Sequence, residues 1–202
     1  MEFQQGPAKS AHLPSQCRTA QTSPMMNAAD VIDLYNALEN LEIEIWIDGG
    51  WGVDALLEKQ TRPHQDLDIA IQQKDVSKLR NLLETRGYTE IKLDIARTHN
   101  FVMADASGLE IDVHVIVLDS QGNGIYGPVE NSEMYPAEAL AGTGMIARQL
   151  VKCISPEWTI KFHIGYELKE KDYKDVSALC EKFLIPLPIE FKRFTVSNNH
   201  QT

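Results

Sequence analysis

Hydrophobic and polar positions follow helical and strand periods along most of the chain after residue 26. Five apolar residues recur at the three- and four-residue spacing of an amphipathic helix that Asn27 is placed to cap: Val31, Leu34, Tyr35, Leu38 and Leu41. Further helices are predicted over WGVDALLEK, KDVSKLRNLLETRGY, SPEWTIKFHIGYEL and EKDYKDVSALCEKFL. Strands are predicted over EIWI, DLDIAI, TEIKLD, THNFVMAD and LEIDVHVIVL, with a short pair in MIARQLVKCI and a loop over about 119–136. This order, with helices gathered toward the C-terminus, predicts an α+β fold.

The first 25 residues lack both periods. They are rich in Gln, Ser, Pro and Ala, and they contain no apolar stretch of the kind found in a secretory signal. We therefore predict that residues 1–25 are a disordered or non-native leader, with Met25 or Met26 as the natural start.

Charge and cysteine content narrow the class of partner. The formal net charge of −10 argues against binding of nucleic acid, which usually needs a basic surface. An acidic cleft for a cationic small molecule and a merely solubilising surface are both compatible with this charge. Three cysteines without metal-type spacing indicate free thiols, so we expect a cytoplasmic location, and no apolar run is long enough to predict a membrane span.

Acidic side chains alternate with apolar ones on two of the predicted strands. In HQDLDIAI the two-residue period places His64, Asp66 and Asp68 on one face, and in LEIDVHV it places Asp112 between Glu110 and His114. If the two strands pair, three carboxylates approach one another and need a cation. Hard oxygen ligands favour Mg²⁺.

A glycine pair lies between the preceding strand and helix. Gly49 and Gly50 come where backbone N–H groups at a helix start are unpaired and can hold a phosphate. A phosphate-binding turn beside a magnesium site describes a site for a nucleoside triphosphate. A zinc site built from His64, Asp66, Asp112 and His114 is an alternative, but it leaves the glycine turn without a role.

These residues carry a resemblance to a known family. GGWGVDALLEKQTRPHQDLDIAI resembles the signature of nucleotidyltransferases that share the fold of DNA polymerase β, and within them the small antibiotic nucleotidyltransferases of the lincosamide and aminoglycoside 2″ types. The resemblance implies a mixed sheet with flanking helices, followed by C-terminal helices. It also implies a catalytic domain over residues 26–154 and a C-terminal helical segment over residues 155–195 that lines the acceptor cleft.

The resemblance assigns roles by position. Asp66, Asp68 and Asp112 match the acids that bind metal, for which two Mg²⁺ ions are expected. Asp112 also matches the acid that takes a proton from the acceptor hydroxyl, with Glu110 as the alternative base. Gly49 and Gly50 match the turn that contacts the triphosphate.

Other residues near these motifs complete the predicted site. Trp51, Arg62 and His64 are predicted to contact the nucleotide. The predicted contacts to the acceptor are Asp48, Glu110, His114, His163 and Tyr166.

The resemblance also sets the expected reaction. It implies transfer of a nucleoside monophosphate from a triphosphate, ATP being expected, to a hydroxyl of a small antibiotic. The D-x-H strand and the stretch FHIGYELKEKDYKDV resemble the lincosamide type more closely, so a lincosamide acceptor is predicted and an aminoglycoside is the alternative. A non-catalytic nucleotide-binding module stays open as a further alternative. We expect the antibiotic and the nucleotide as partners, with neither nucleic acid nor membrane, for a monomer or homodimer.

Overall fold

The computed structural model describes residues 24–91, 99–127, 133–164 and 166–192. Within these ranges the helices are α1 (Ala28–Asn40), α2 (Gly49–Leu57), α3 (Val76–Thr85), α4 (Pro156–Phe162) and α5 (Glu170–Phe183). The strands are β1 (Ile45–Ile47), β2 (Asp66–Gln72), β3 (Thr89–Ile91), β4 (Asn100–Ala104), β5 (Glu110–Leu118), β6 (Gly124–Tyr126), β7 (Glu133–Tyr135), β8 (Thr143–Ile146) and β9 (Gln149–Lys152). The predicted α+β class is confirmed. Most of the predicted leader, residues 1–23, lies outside the described residues.

The start of α1 shows how local sequence sets a boundary. The Asn27 side chain accepts hydrogen bonds from the backbone of Ala29 and Asp30, at 2.8 and 3.1 Å. The Asp30 carboxylate in turn accepts from the Asn27 N–H at 3.0 Å, which completes a capping box. The predicted cap is confirmed, and the helix buries its apolar stripe of Val31, Leu34, Tyr35 and Leu38.

Seven of the described strands form one mixed sheet. Its order is β1–β2–β5–β4–β3, with β6 paired to β5 and β7 paired to β6. β2 and β5 are parallel, whereas the other neighbouring pairs in this sheet are antiparallel. The chain passes between the two parallel strands through α3, β3 and β4, because parallel neighbours need a long connection.

The two faces of this sheet pack against different elements. Leu67, Ile69 and Val113 project into a large core that includes apolar residues of α1, α2, α3 and α5. The opposite face carries Asp68 and Asp112 and continues into a smaller cluster around Trp46, Ala70, Ile116 and Tyr135, which α4 covers with Trp158 and Phe162. The acids therefore lie next to an aromatic region.

The region predicted as a loop over about 119–136 contains two short strands. β6 pairs with the end of β5, and β7 pairs with β6 through Ile125 and Met134. Three-residue strands are too short to display a two-residue period, so the loop prediction was wrong there. The hairpin brings Tyr126 and Tyr135 to the acidic face of the sheet.

The predicted boundary between residues 154 and 155 stays a prediction. Ile160, Val176 and Leu179 share the large apolar core with residues of β1 and α2. No helix among the described residues is both long and apolar enough to cross a lipid bilayer.

Candidate active site

Two carboxylates and an imidazole converge on paired parallel strands. Asp68 on β2 is the register partner of Asp112 on β5, as the alternating faces predict for paired strands. Single ligand atoms of Asp68, Asp112 and His114 all lie within 4.8 Å of one another. Asp66 is exposed two residues before Asp68 and pairs in register with Glu110.

Among the described residues, negative charges outweigh positive ones around Asp68. Burial, followed by the charges of Asp66, Asp48 and Asp112, raises the pKa of Asp68 to about 8. Burial also raises the pKa of Asp112, against the opposing influence of His114. Asp112 Oδ1 is buried and has no hydrogen-bond partner among the residues that the structure describes. A divalent cation supplies both the missing charge and the missing partner, so these residues fit a metal site.

Gly49 is required by the close approach of Asp68. It opens α2 with a φ of +55°, and Asp48 caps the helix by accepting from the Gly49 N–H at 2.8 Å. A Cβ at position 49 would lie 1.9 Å from Asp68 Oδ2. The Asp48 N–H also donates to the Asp68 backbone carbonyl at 2.9 Å. The helix start is therefore fixed directly against the acidic strand.

Gly50 is required by a second contact, with His64. A Cβ there would lie 2.4 Å from His64 Nδ1 and 2.8 Å from Arg62 Nη2. His64 does not project beside Asp66, because β2 begins only at Asp66 and the backbone of residue 64 pairs with Met26. The shared face predicted for His64 was wrong, and the residue lies outside the metal-type group of Asp68, Asp112 and His114.

The His64 side chain belongs to a buried polar network. Its Nε2 lies 2.5 Å from Asp54 Oδ2, and both side chains are at most 2% exposed. The Arg62 guanidinium, which can only donate, lies 3.0 Å from His64 Nδ1, so Nε2 carries the imidazole proton and donates to Asp54. Asp54 also accepts from Thr61 N and Oγ1 at 2.9 and 2.5 Å.

Arg62 connects this network to the C-terminal helix. It donates from Nε and Nη2 to Asp175 Oδ2 on α5, at 3.3 and 3.1 Å, while 30% of its side chain stays exposed. The network therefore joins α2, through Asp54, to the segment before β2 and to α5. Sequence reasoning assigned no role to Asp54, although this acid lies on an otherwise apolar helix one turn after Gly50.

Trp51 is 2% exposed, and its indole lies 4.9 Å from the His64 ring. With the side chain buried, a nucleotide can reach this residue only through its backbone. Its predicted role in nucleotide binding stays a prediction, as do those of Arg62 and His64.

An aromatic wall adjoins the acids. It consists of Tyr126, Tyr135, Trp158 and Phe162, whose neighbouring rings lie 5.0–6.1 Å apart. Tyr126 stacks on His114 with ring centroids 5.6 Å apart and an angle of 22° between the rings. The sequence did not reveal this wall, because two of its members lie in the segment predicted as a loop.

Three further residues predicted to bind the acceptor lie on different segments of the chain. Glu110 is half-buried at the start of β5, one alternation before Asp112. His163 ends α4, with Nδ1 2.8 Å from the Thr159 carbonyl. Tyr166 is 51% exposed, and burial together with a hydrogen bond to Asp172 raises its pKa. These roles stay predictions.

Comparisons with known proteins agree on one family. The sequence profile described as aminoglycoside-2″-adenylyltransferase matches residues 30–179. A lincosamide resistance protein of Staphylococcus haemolyticus is 31% identical over 150 residues, which cover 74% of this chain and 89% of that protein.

Solved structures show the same fold. The lincosamide antibiotic adenylyltransferase LnuA, with lincomycin bound, matches with a TM-score of 0.68 and 26% identity, over 77% of this chain and 98% of that one. ANT(2″)-Ia in complex with adenylyl-2″-tobramycin matches with a TM-score of 0.61 and 20% identity, over 77% and 88% of the two chains. At that identity the second likeness speaks for the fold alone.

Proposed function

This chain belongs to the aminoglycoside-2″-adenylyltransferase family, and we propose that it transfers a nucleoside monophosphate from ATP to a hydroxyl of a lincosamide antibiotic, giving resistance. The observation that carries the proposal is the convergence of Asp68 and Asp112 on parallel strands beside the glycine start of α2. A non-catalytic relative would not need an acidic group whose charges the protein leaves uncompensated.

Each part of the site takes a role in this reaction. Asp66, Asp68 and Asp112 hold divalent ions, for which we propose two. When bound, such ions neutralise the oxygens of the α-phosphate and align it for in-line attack. The backbone N–H groups at the start of α2 face the triphosphate, and Gly49 and Gly50 keep that surface free of side chains.

Proton removal falls to a carboxylate on β5. As the acceptor oxygen bonds to the α-phosphorus and the bond to pyrophosphate breaks, Asp112 accepts the hydroxyl proton. A carboxylate within hydrogen-bond reach of the acceptor hydroxyl is a competent base, and Asp112 lies in register with Asp68 at the centre of the acidic group. Glu110, on the same face of β5, is the alternative base.

The aromatic wall supports a lincosamide as the acceptor. A lincosamide presents one amine and an apolar propyl-proline part, which rings such as those of Tyr126 and Phe162 can cover. An aminoglycoside presents several ammonium groups and needs more carboxylates than rings. Lys161 lies over the Trp158 ring at 3.9 Å, so a positive charge already occupies this side of the wall.

The test is a panel of acceptors and nucleotides. The protein is incubated with lincomycin, clindamycin, kanamycin, gentamicin or tobramycin, each with ATP, GTP, CTP or UTP, and the products are read by mass spectrometry. We expect a nucleoside monophosphate adduct on both lincosamides, strongest with ATP, and none with the Asp68→Asn variant as control. An adduct on aminoglycosides alone would overturn the choice of acceptor, and no adduct at all would overturn the proposed transfer.

A further inference from the structure

A chain of hydrogen bonds leads from the helix start to His114. The Tyr135 hydroxyl lies 3.2 Å from Asp48 Oδ2, and His114 Nδ1 lies 3.0 Å from the same hydroxyl. Tyr135 is buried, and its imidazole partner is held from the other side by the stacked ring of Tyr126. His114 therefore has a fixed orientation.

The direction of these bonds determines which nitrogen of His114 is free. The Asp48 carboxylate can only accept, and it already accepts from the Gly49 N–H through its other oxygen. Tyr135 has one proton to give, and it gives that proton to Asp48. The hydroxyl oxygen must then accept from His114 Nδ1–H, so Nε2 is the ring nitrogen that faces the acidic group and can bind a metal ion.

The distances around Nε2 match those between ligands of one ion. Nε2 lies 3.8 Å from Asp112 Oδ1, too far for a hydrogen bond, and within the described ranges that oxygen makes no hydrogen bond. Single ligand atoms of Asp68, Asp112 and His114 all lie within 4.8 Å of one another. Ligands held about 2.0–2.3 Å from a common ion are separated by roughly 3–4.5 Å.

We propose that His114 is a direct ligand of the divalent ion, together with Asp68 and Asp112, and that Tyr135 is its positioning residue. The inference rests on the proposed function only in that a divalent ion occupies this site. An imidazole ligand favours first-row transition ions over Mg²⁺, so the site binds Mn²⁺ more tightly than Mg²⁺. This ligand set differs from the zinc alternative of the sequence analysis, which depended on His64.

Pulsed electron paramagnetic resonance of Mn²⁺ bound without nucleotide tests the ligand directly. We expect a nitrogen coupling in the wild-type protein that changes when histidine is labelled with ¹⁵N. The coupling disappears in His114→Gln and persists in His99→Gln, a matched control whose histidine lies outside the group of ligands. Absence of the coupling in the wild-type protein, or its survival in His114→Gln, would overturn the inference.

Metal affinity supplies the second measurement. By calorimetry we expect His114→Gln to weaken Mn²⁺ binding by about 10-fold or more and Mg²⁺ binding by less, and Tyr135→Phe to weaken Mn²⁺ binding about 10-fold. Equal losses for the two ions would contradict the proposed preference. Circular dichroism tests whether each variant is folded. If a variant is not folded, the nitrogen coupling of the ¹⁵N-labelled wild-type protein alone tests whether histidine binds the ion.

The two proposals can fail separately. If nucleotide transfer is observed without a histidine coupling, His114 is not a ligand of the ion, but the proposed reaction is supported. If the coupling is observed but no acceptor of the panel is modified, His114 is a ligand of the ion and the proposed transfer is wrong.

Discussion

Replacing Asp68 with Asn should stabilise the metal-free protein, because it removes an ionised group from a place that disfavours it. The pKa of Asp68 rises from an ordinary 3.8 to about 8 in the folded state. Below about pH 4 the group is protonated in both states and adds no penalty. Between about pH 4 and pH 8 the unfolded chain ionises while the folded protein must hold the proton, so stability falls as the pH rises.

The magnitude follows from the two pKa values. Each pKa unit corresponds to about 1.4 kcal/mol, so at pH 7 the penalty reaches roughly 4 kcal/mol. Asp68 is only half-buried by surface exposure, so we discount this to about 2–4 kcal/mol. For a chain of this size the Asn variant should then melt on the order of 10 °C higher than the wild type at pH 7.

Thermal melting in the presence of a chelator, at pH values from 4.5 to 8.5, measures this difference. The gain in melting temperature at pH 4.5 should be about a quarter of the gain at pH 7, and it should grow toward pH 8. Addition of Mg²⁺ and nucleotide should reverse it, since only the wild type binds the ion well. Glu84→Gln, an exposed change on α3, is the control and should shift stability by less than about 0.5 kcal/mol at every pH. A gain that does not depend on pH would refute the reasoning.

Three further substitutions test other parts of the site. Gly49→Ala should lose transfer activity and destabilise the fold by about 1–2 kcal/mol or more, because φ is +55° and the added carbon meets Asp68. Urea unfolding measures the loss of stability, and a variant as stable as the wild type would contradict the prediction. Asp54→Asn should destabilise by about 1–3 kcal/mol, because its amide nitrogen replaces one carboxylate oxygen and must face a donor, either His64 Nε2–H or the Thr61 N–H, whereas the exposed change Glu58→Gln should cost less. Asp112→Asn should lower turnover about 10²–10⁴-fold and weaken nucleotide binding by a smaller factor; calorimetry beside kinetics compares the two, and wild-type turnover would remove Asp112 from the reaction.

The acidic face was predictable because strand alternation is a local rule. Asp66 and Asp68 on β2, and Asp112 on β5, follow directly from the two-residue period. Whether these strands pair, and in which register, depends on a connection of nearly forty residues, which no short pattern encodes. The sequence therefore predicted that Asp68 and Asp112 lie close together only if β2 and β5 are neighbours in the sheet.

The polar network behind the glycines was hidden for a different reason. Asp54 sits in an apolar helix, and without tertiary context a single acid there is indistinguishable from one on a solvated face. His64 was placed on the strand face because the period was extended two residues beyond the true start of β2. Pairing with buried Asp54 determines where the His64 side chain lies, since a fully buried carboxylate is stable only when hydrogen-bond donors surround it.

The glycine pair serves two packing requirements as well as the proposed contact with phosphate. A side chain at position 49 would displace Asp68, and one at position 50 would displace His64. The first contact belongs to a region of uncompensated negative charge, and the second to a network in which every charge has a partner. The network holds α2 against the segment before β2 through Asp54, while the acids repel one another across β2 and β5. A site that is costly without its ion is thus built beside a rigid support, which keeps Asp68 and Asp112 in position until a cation arrives.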